Sequence, residues 1–301
     1  MHEGQVTVPA EDLAAALEAQ LPHLHRPDVR RLSSAGTVVA PYRIGADLLA
    51  RVPLVPSLGE DATDLLDAER RHALELGEEL SLEVPQLIGV GGPFEGYAGA
   101  WSVWTWLEGE SLDVLLDRGG AEVDHDALAH DLARVLRAQR SLPVRGRGWS
   151  GNGRGGSPLV DADWVRRSIR RSSHLLDPAA ATHVWEIALA APAHAGPPTR
   201  INADPMPGNL LVSDGRLTGL LDIGAPVVGD PASDLQPAWE IFEEPQRSAF
   251  REAMALDDAA WARGRGWAFE MAIGGLHYYE HTNPAFSRLA RRTLERLMAT
   301  G

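Results

Sequence analysis

The chain has 301 residues, 44% of them hydrophobic, with no cysteine and a formal net charge of −14. That length supports one large domain or two lobes sharing a core, and the lack of cysteine excludes disulfides, thiolate zinc sites and a cysteine nucleophile. Every one of the 28 basic residues is arginine, so a Gly-Lys-Ser/Thr phosphate loop and lysine Schiff-base chemistry are both excluded, and the acidic balance argues against nucleic acid as a partner.

In chain order, Glu11 to Gln20 reads as a short amphipathic helix. Two strands follow, Thr37 to Arg43 and Asp47 to Pro53, joined by a tight hairpin at Ile44-Gly45-Ala46. Asp61 to Leu80 reads as a helix with an apolar face of Leu65, Leu66, Ala68, Leu74 and Leu76. Pro85 to Val90 and Gly99 to Leu107 read as two further strands. After Glu108-Gly109-Glu110 the pattern turns helical, at Leu112 to Leu116 and at Asp126 to Gln139, where Leu128, Leu132, Val135 and Leu136 form the stripe. Helices are also expected over Asp161 to Ser172 and Ala179 to Ala191. Two short strands follow at Leu210 to Val212 and Leu217 to Leu221. Four more helices complete the chain: Pro231 to Phe242, Pro245 to Ala255, Asp258 to Tyr279 and Pro284 to Ala299. The result is an α+β layout. An N-terminal lobe over residues 1–107 carries an antiparallel sheet and one main helix. A larger helical lobe spans 108–301, with a hinge at about 103–109 and a cleft between the lobes.

No apolar run approaches the ~18 residues of a membrane span. The N-terminal residues lack the basic-then-apolar pattern of a secretory signal, so the expected location is the cytoplasm, with no membrane partner. His23, His25, His125 and His130 lack metal-ligand spacing. Gly151-Asn152-Gly153-Arg154-Gly155-Gly156 satisfies the G-x-G-x-x-G pattern, but no strand precedes it, so it reads as a loop near the substrate mouth and not as a dinucleotide site.

The chemistry concentrates in residues 202–234. Asp204 sits on a loop, Asn209 follows five residues later, and Asp222 ends an apolar strand. That is the layout of a magnesium-dependent phosphoryl transferase: one acid takes the hydroxyl proton, while an amide and a second acid hold Mg²⁺ against nucleotide phosphates. Asp230 suits a helix N-cap before Pro231. Asp234 suits a structural role, bonding the amides that shape the loop.

With Asp204, Pro207-Gly208-Asn209, Asp222-Ile223-Gly224, Gly229-Asp230-Pro231 and Asp234, this run resembles the aminoglycoside phosphotransferase family, a branch of the protein-kinase-like fold. The resemblance extends over roughly residues 30–300. Trp101 to Gly109 is similar to that family's inter-lobe hinge, and Tyr42 to Pro53 to its first hairpin and the strand bearing the phosphate-contacting cation. The resemblance implies a bilobal kinase-like fold and ATP or GTP as phosphoryl donor. It implies Asp204 as catalytic base and Asn209 and Asp222 as Mg²⁺ ligands. Arg51 would grip phosphate oxygens with Glu69 orienting it, Gly36 and Thr37 would cover the phosphates, and Trp104, Thr105 and Trp106 would lie along the nucleotide. Substrate contacts are expected from Glu240, Glu243, Glu244, Trp267, Glu270 and Tyr278, acids and aromatics suited to a cationic or sugar-bearing small molecule. The acceptor would be a hydroxyl of an antibiotic (aminoglycoside-like, macrolide or nucleoside). A metabolite kinase of the same fold, or a pseudokinase-like binding protein, are the alternatives. The assembly would be a monomer or homodimer. The chain departs from the family pattern at Asn202 and Ala203, where His and Gly are usual, and at Ile223, where Phe is usual.

Overall fold

The structure, a computed structural model, describes residues 4–24, 26, 28–32, 38–57, 60–151, 153–157 and 162–299. The chain divides into two compact units. The first comprises Met1–Glu78, Leu82–Glu108 and Gly219–Ala225; the second comprises Glu79–Ser81, Gly109–Thr218 and Pro226–Gly301.

The first unit is built on a five-stranded antiparallel sheet in the order β1-β2-β3-β5-β4. Its strands are β1 (Val29–Arg31), β2 (Val39–Ile44), β3 (Leu48–Pro53), β4 (Leu87–Gly91) and β5 (Trp101–Thr105). The β2–β3 hairpin turns at Gly45, whose φ of +56° is open to glycine without strain. Strand β3 alternates strictly: Leu48, Ala50 and Val52 are buried, and Leu49, Arg51 and Pro53 face the other way. The buried set joins Tyr42, Ile44, Val103 and the helix α1 (Ala10–Gln20) residues Leu13 and Leu17 in one core. Helix α2 (Glu60–Glu79) turns Glu69, His72, Ala73 and Leu76 inward at i, i+3, i+4 and i+7 spacing. Leu65 and Leu74, expected on the apolar face, are instead 62% and 49% exposed. The polar Glu69 and His72 take inward places because each has a partner, Arg51 for the first and the carbonyl of Gly224 for the second.

The second unit is mostly helical: α3 (Leu112–Asp117), α4 (His125–Ser141), α5 (Ala162–Arg171), α6 (Pro178–Ala190), α7 (Pro237–Glu240), α8 (Gln246–Met254), α9 (Asp258–Tyr278) and α10 (Pro284–Ala299). Side-chain caps at Asp124, Asp177 and Asp257 start α4, α6 and α9. The α4 stripe of Leu128, Leu132, Val135 and Leu136 is buried as the periodicity requires. Short strands carry the functional loops. A sheet of order β6-β8-β9 contains β6 (Glu110–Ser111), β8 (Leu210–Ser213) and β9 (Arg216–Leu220), and β7 (Thr199–Ile201) pairs with β10 (Val227–Gly229). The division between the units falls inside β9, so Asp222 belongs to the first unit. The helix expected over Pro231 to Phe242 is broken into a 3-10 segment, Pro231–Leu235, and the short α7. Pro237 has no amide hydrogen and cannot continue the first segment.

Candidate active site

In the first unit, β3 and β5 lie in register with Arg51 opposite Ser102 and Leu49 opposite Trp104. That register places the Arg51 and Trp104 side chains on one face of the sheet. The guanidinium carbon of Arg51 lies 5.3 Å from the Trp104 ring centroid. Its Nη1 donates to Glu69 Oε1 at 2.5 Å and its Nη2 to Asp222 Oδ1 at 2.8 Å. Burial pulls the Arg51 pKa down, but the charges and hydrogen bonds of Glu69 and Asp222 outweigh it and hold the guanidinium above its ordinary value. Asp222 has a φ of +46°, a left-handed turn that Asp tolerates better than most residues. Its side chain is 55% exposed.

Trp104 is fully buried and its indole donates to Ser102 Oγ at 2.8 Å. It supports Arg51 from below instead of contacting a nucleotide with its side chain. The amides of Thr105 and Trp106 donate to the carbonyls of Gln86 and Asp47 at 2.9 and 2.8 Å. Any backbone contact these two make to a base is therefore through another atom. Thr105, Trp106 and Leu107 border a shallow hollow of about 410 Å³, closed on its other side by Gly77, Val84 and Gln86. Gly36 and Thr37 lie outside the described residues.

In the second unit, the loop from β7 to β8 carries Asp204 and Asn209. Asp234 accepts from the amides of Asn202 (3.0 and 3.1 Å) and Ala203 (2.9 Å). The Asn202 side chain accepts from the Asp204 amide at 3.1 Å. Asn209 Nδ2 donates to the Asp204 carbonyl at 3.0 Å. Three side chains, those of Asp234, Asn202 and Asn209, thus fix the backbone around Asp204, and Asn202 does this work without the imidazole of the usual motif. Asp234 is buried, and its pKa is pushed up to about 6 by that burial against the opposing pull of the two amides and of Arg140 and Arg154. Asp230 caps the 3-10 segment through Ala232 and forms a buried two-bond ion pair with Arg263, at 2.6 and 3.2 Å. Ala203 adopts φ +69°, the left-handed region where the usual glycine carries no penalty.

The Asp204 carboxylate is 41% exposed, so an acceptor hydroxyl can reach it. Both oxygens have partners in the chain: Arg154 Nη1 donates to Asp204 Oδ1 and, at 2.5 Å, to the Ala203 carbonyl, and Asn209 Nδ2 donates to Asp204 Oδ2 at 3.4 Å. Burial lowers the Arg154 pKa, and the charges of Asp204, Glu270 and Glu240 more than restore it. Glu240 ends α7, is 1% exposed, and has no hydrogen-bond donor for either carboxylate oxygen among the described residues. Its burial pushes its pKa up to about 8, with Arg154 pulling it down, Asp204 raising it and Arg296 pulling it down. No spacing signal marks Arg154 in the sequence: it lies 50 positions before Asp204, within a Gly-rich stretch.

The remaining expected substrate residues divide. Glu240 and Glu270 share the electrostatic environment of Arg154 and so belong to the Asp204 cluster. Glu243 pairs with Arg296 at 2.6 Å and Glu244 accepts from Ser248 at 2.6 Å, so both are committed as exposed ion-pair and turn groups. Trp267 is 1% exposed, a core aromatic and not a ligand wall. Tyr278 is half exposed at the end of α9, with its ring edge-on to Tyr279 at 4.8 Å. Among the described residues, the Gly-rich stretch forms turns and bends, and no strand directly precedes it.

A family model described as the phosphotransferase enzyme family matches residues 40–267. The chain belongs to the phosphotransferase enzyme family. Solved structures share the fold of this phosphotransferase over nearly all of their length. A GDP complex of aminoglycoside 2'-phosphotransferase-IIIa aligns with a TM-score of 0.68 at 16% identity, covering 97% of this chain and 99% of that one. Macrolide 2'-phosphotransferase type I gives 0.62 at 16% identity, covering 96% and 98%. Macrolide 2'-phosphotransferase MphH from Brachybacterium faecium gives 0.59 at 23% identity, covering 94% and 98%. No curated protein sequence matches the chain. Among the described residues of this phosphotransferase, no helix is long and apolar enough to cross a membrane.

Proposed function

We propose that this phosphotransferase moves the terminal phosphoryl group of ATP or GTP to a hydroxyl of a small molecule, with an antibiotic as the best-supported acceptor class. The observation that carries this reading is the setting of Asp204: a solvent-reachable carboxylate on a loop whose amides and carbonyl are pinned by Asp234, Asn202 and Asn209. A base so fixed orients the acceptor hydroxyl and takes its proton as the oxygen–phosphorus bond forms, help worth ~10²–10⁴-fold in rate. Arg51 supplies a planar fork for phosphate oxygens, already charged and already aimed by Glu69.

The donor set also suits Mg²⁺, which takes oxygen ligands. No cluster of three His, Asp or Glu capable of holding a metal exists among the described residues. Asp222 of the first unit offers a carboxylate and Asn209 of the second a side-chain oxygen that accepts no hydrogen bond from a described residue, each the kind of donor Mg²⁺ takes beside nucleotide phosphates. Bound with the nucleotide, the ion would neutralise charge on the transferring phosphate. Structures of similar fold include a GDP and kanamycin complex of APH(2")-IIia and a streptomycin–ATP complex of APH(2")-IIa, which support the donor and the general acceptor class. Location in the cytoplasm and a monomeric or homodimeric state complete the proposal.

The test is product formation by mass spectrometry from MgATP or MgGTP with an antibiotic panel. Asp204→Ala should lose ~10²–10⁴-fold in turnover while nucleotide affinity is kept. Turnover of Asp204→Ala at the wild-type rate would remove Asp204 from the reaction.

A further inference from the structure

The acids around Asp204 already hold a cation. Arg154 Nη1 reaches both Asp204 Oδ1 and the Ala203 carbonyl, and the charges of Glu270 and Glu240 act on the same guanidinium. Its side chain is 22% exposed, so it is largely removed from water.

The position of this arginine is set by main-chain packing. The Asp230 amide donates to the Gly155 carbonyl at 2.7 Å. A Cβ on Gly229 would stand 2.3 Å from that same oxygen, and a Cβ on Gly156 would stand 2.3 Å from the Trp149 ring. Gly155 itself has φ +98°, a conformation that L side chains avoid. The residue next to Arg154 is therefore wedged against β10, and the guanidinium is delivered to Asp204 from a fixed base.

An acidic pocket for an amine-bearing acceptor needs unpaired carboxylates. Here the carboxylate nearest the chemistry is bonded to an internal guanidinium by a charge-assisted contact. The burial of Glu240 favours its neutral form, which further lowers the negative charge on offer. A substrate ammonium would have to displace Arg154 or sit beside it, and like charges in a partly desolvated site repel strongly.

We propose that Arg154 is a specificity-determining residue that fills the counter-ion place beside the catalytic acid, so that the acceptor presents its hydroxyl on an uncharged sugar, nucleoside or polyol and not beside an ammonium group. This rests on the phosphotransferase reading of Asp204. It also narrows the substrate: of the acids that suggest a cationic ligand in the sequence, Glu243 and Glu244 are engaged by Arg296 and Ser248, and Glu240 is buried out of reach.

Two measurements separate this inference from the reading beneath it. The first is phosphoryl transfer by the wild-type protein to acceptors sorted by charge. Product is expected with neutral acceptors and not with polyamine antibiotics. Efficient transfer to a polyamine would overturn the role of Arg154 while leaving the phosphotransferase reading intact. Absence of transfer to every acceptor would count against that reading alone. The second needs no turnover. Calorimetric titration of a cyclohexane diamine and the matching cyclohexane diol compares wild type with Arg154→Gln. Loss of the guanidinium should tighten diamine binding at least tenfold, leave diol binding within a factor of two, and be reversed in Arg154→Lys. Should Arg154→Gln fail to fold, the Arg154→Gln/Glu240→Gln double variant, which removes a buried acid with the cation, takes its place. Diamine binding that is unchanged or absent in the folded variant overturns the inference.

Discussion

Glu240 offers the sharpest test of the electrostatics, because its titration converts directly into stability. It is buried, neither oxygen finds a donor among the described residues, and its pKa is pushed up from 4.5 to about 8. The folded protein therefore keeps a proton that the unfolded chain has already released. A group raised in this way stabilises fully below its unfolded pKa, and that stability is lost as pH rises towards the folded value. Each pH unit in that window is worth about 1.4 kcal/mol. Between pH 6 and pH 9 the wild type should thus lose about 3 kcal/mol through this one side chain, since the loss stops once Glu240 ionises near pH 8. Glu240→Gln keeps the shape and removes the titration. Urea unfolding of both proteins at pH 6 and pH 9 isolates the effect, because all other groups titrate alike in the pair. The variant should gain about 3 kcal/mol on the wild type over that range. Stability curves that run parallel across the two pH values would show that Glu240 is not held neutral, and the electrostatic account of the cluster would fail.

Three further perturbations test the backbone and the phosphate grip. Ala203→Gly relieves a left-handed φ of +69° and should stabilise by about 1 kcal/mol, after the extra chain entropy of glycine is set against the strain; thermal unfolding reads this, and a destabilised variant would contradict it. Gly229→Ala drives a methyl to 2.3 Å from the Gly155 carbonyl and should cost at least ~2 kcal/mol in urea unfolding, whereas a neutral outcome would deny the close approach. Arg51→Ala removes charged hydrogen bonds worth ~1.5–3 kcal/mol to phosphate, so nucleotide KM should rise ~10- to 100-fold; an unchanged KM would exclude Arg51 from the phosphate site.

Periodic segments were legible in the sequence, and contacts made at a distance were not. The alternation of β3 and the stripe of α4 follow from side-chain spacing alone, and both stand in the structure. The short strands β1, β7 and β10 have three residues each, too few to show a period, and exist through their pairing partners. The inward face of α2 differs from its apolar stripe because it includes Glu69, whose pairing with Arg51 the family resemblance implies, and His72, whose contact with the Gly224 carbonyl leaves no mark in the sequence. Around Asp204, the roles of Asp230 as cap and Asp234 as amide acceptor follow from local chemistry that proline and loop spacing announce. Trp104 and Trp267 illustrate the opposite case: an aromatic is equally at home in a core or on a ligand, and only burial distinguishes the two. Arg154 could not be found by spacing, since the Gly-rich loop meets residue 204 only after the chain has folded back through two helices.

The tight seating of Gly155 on Gly229 has a wider meaning. Because the main chain there is held by main chain, the side chain at 154 hangs from a rigid hook and can be exchanged without rebuilding its support. A single codon change at that spot would alter which charges the protein tolerates in its ligand, giving the scaffold a cheap route from one class of target to another.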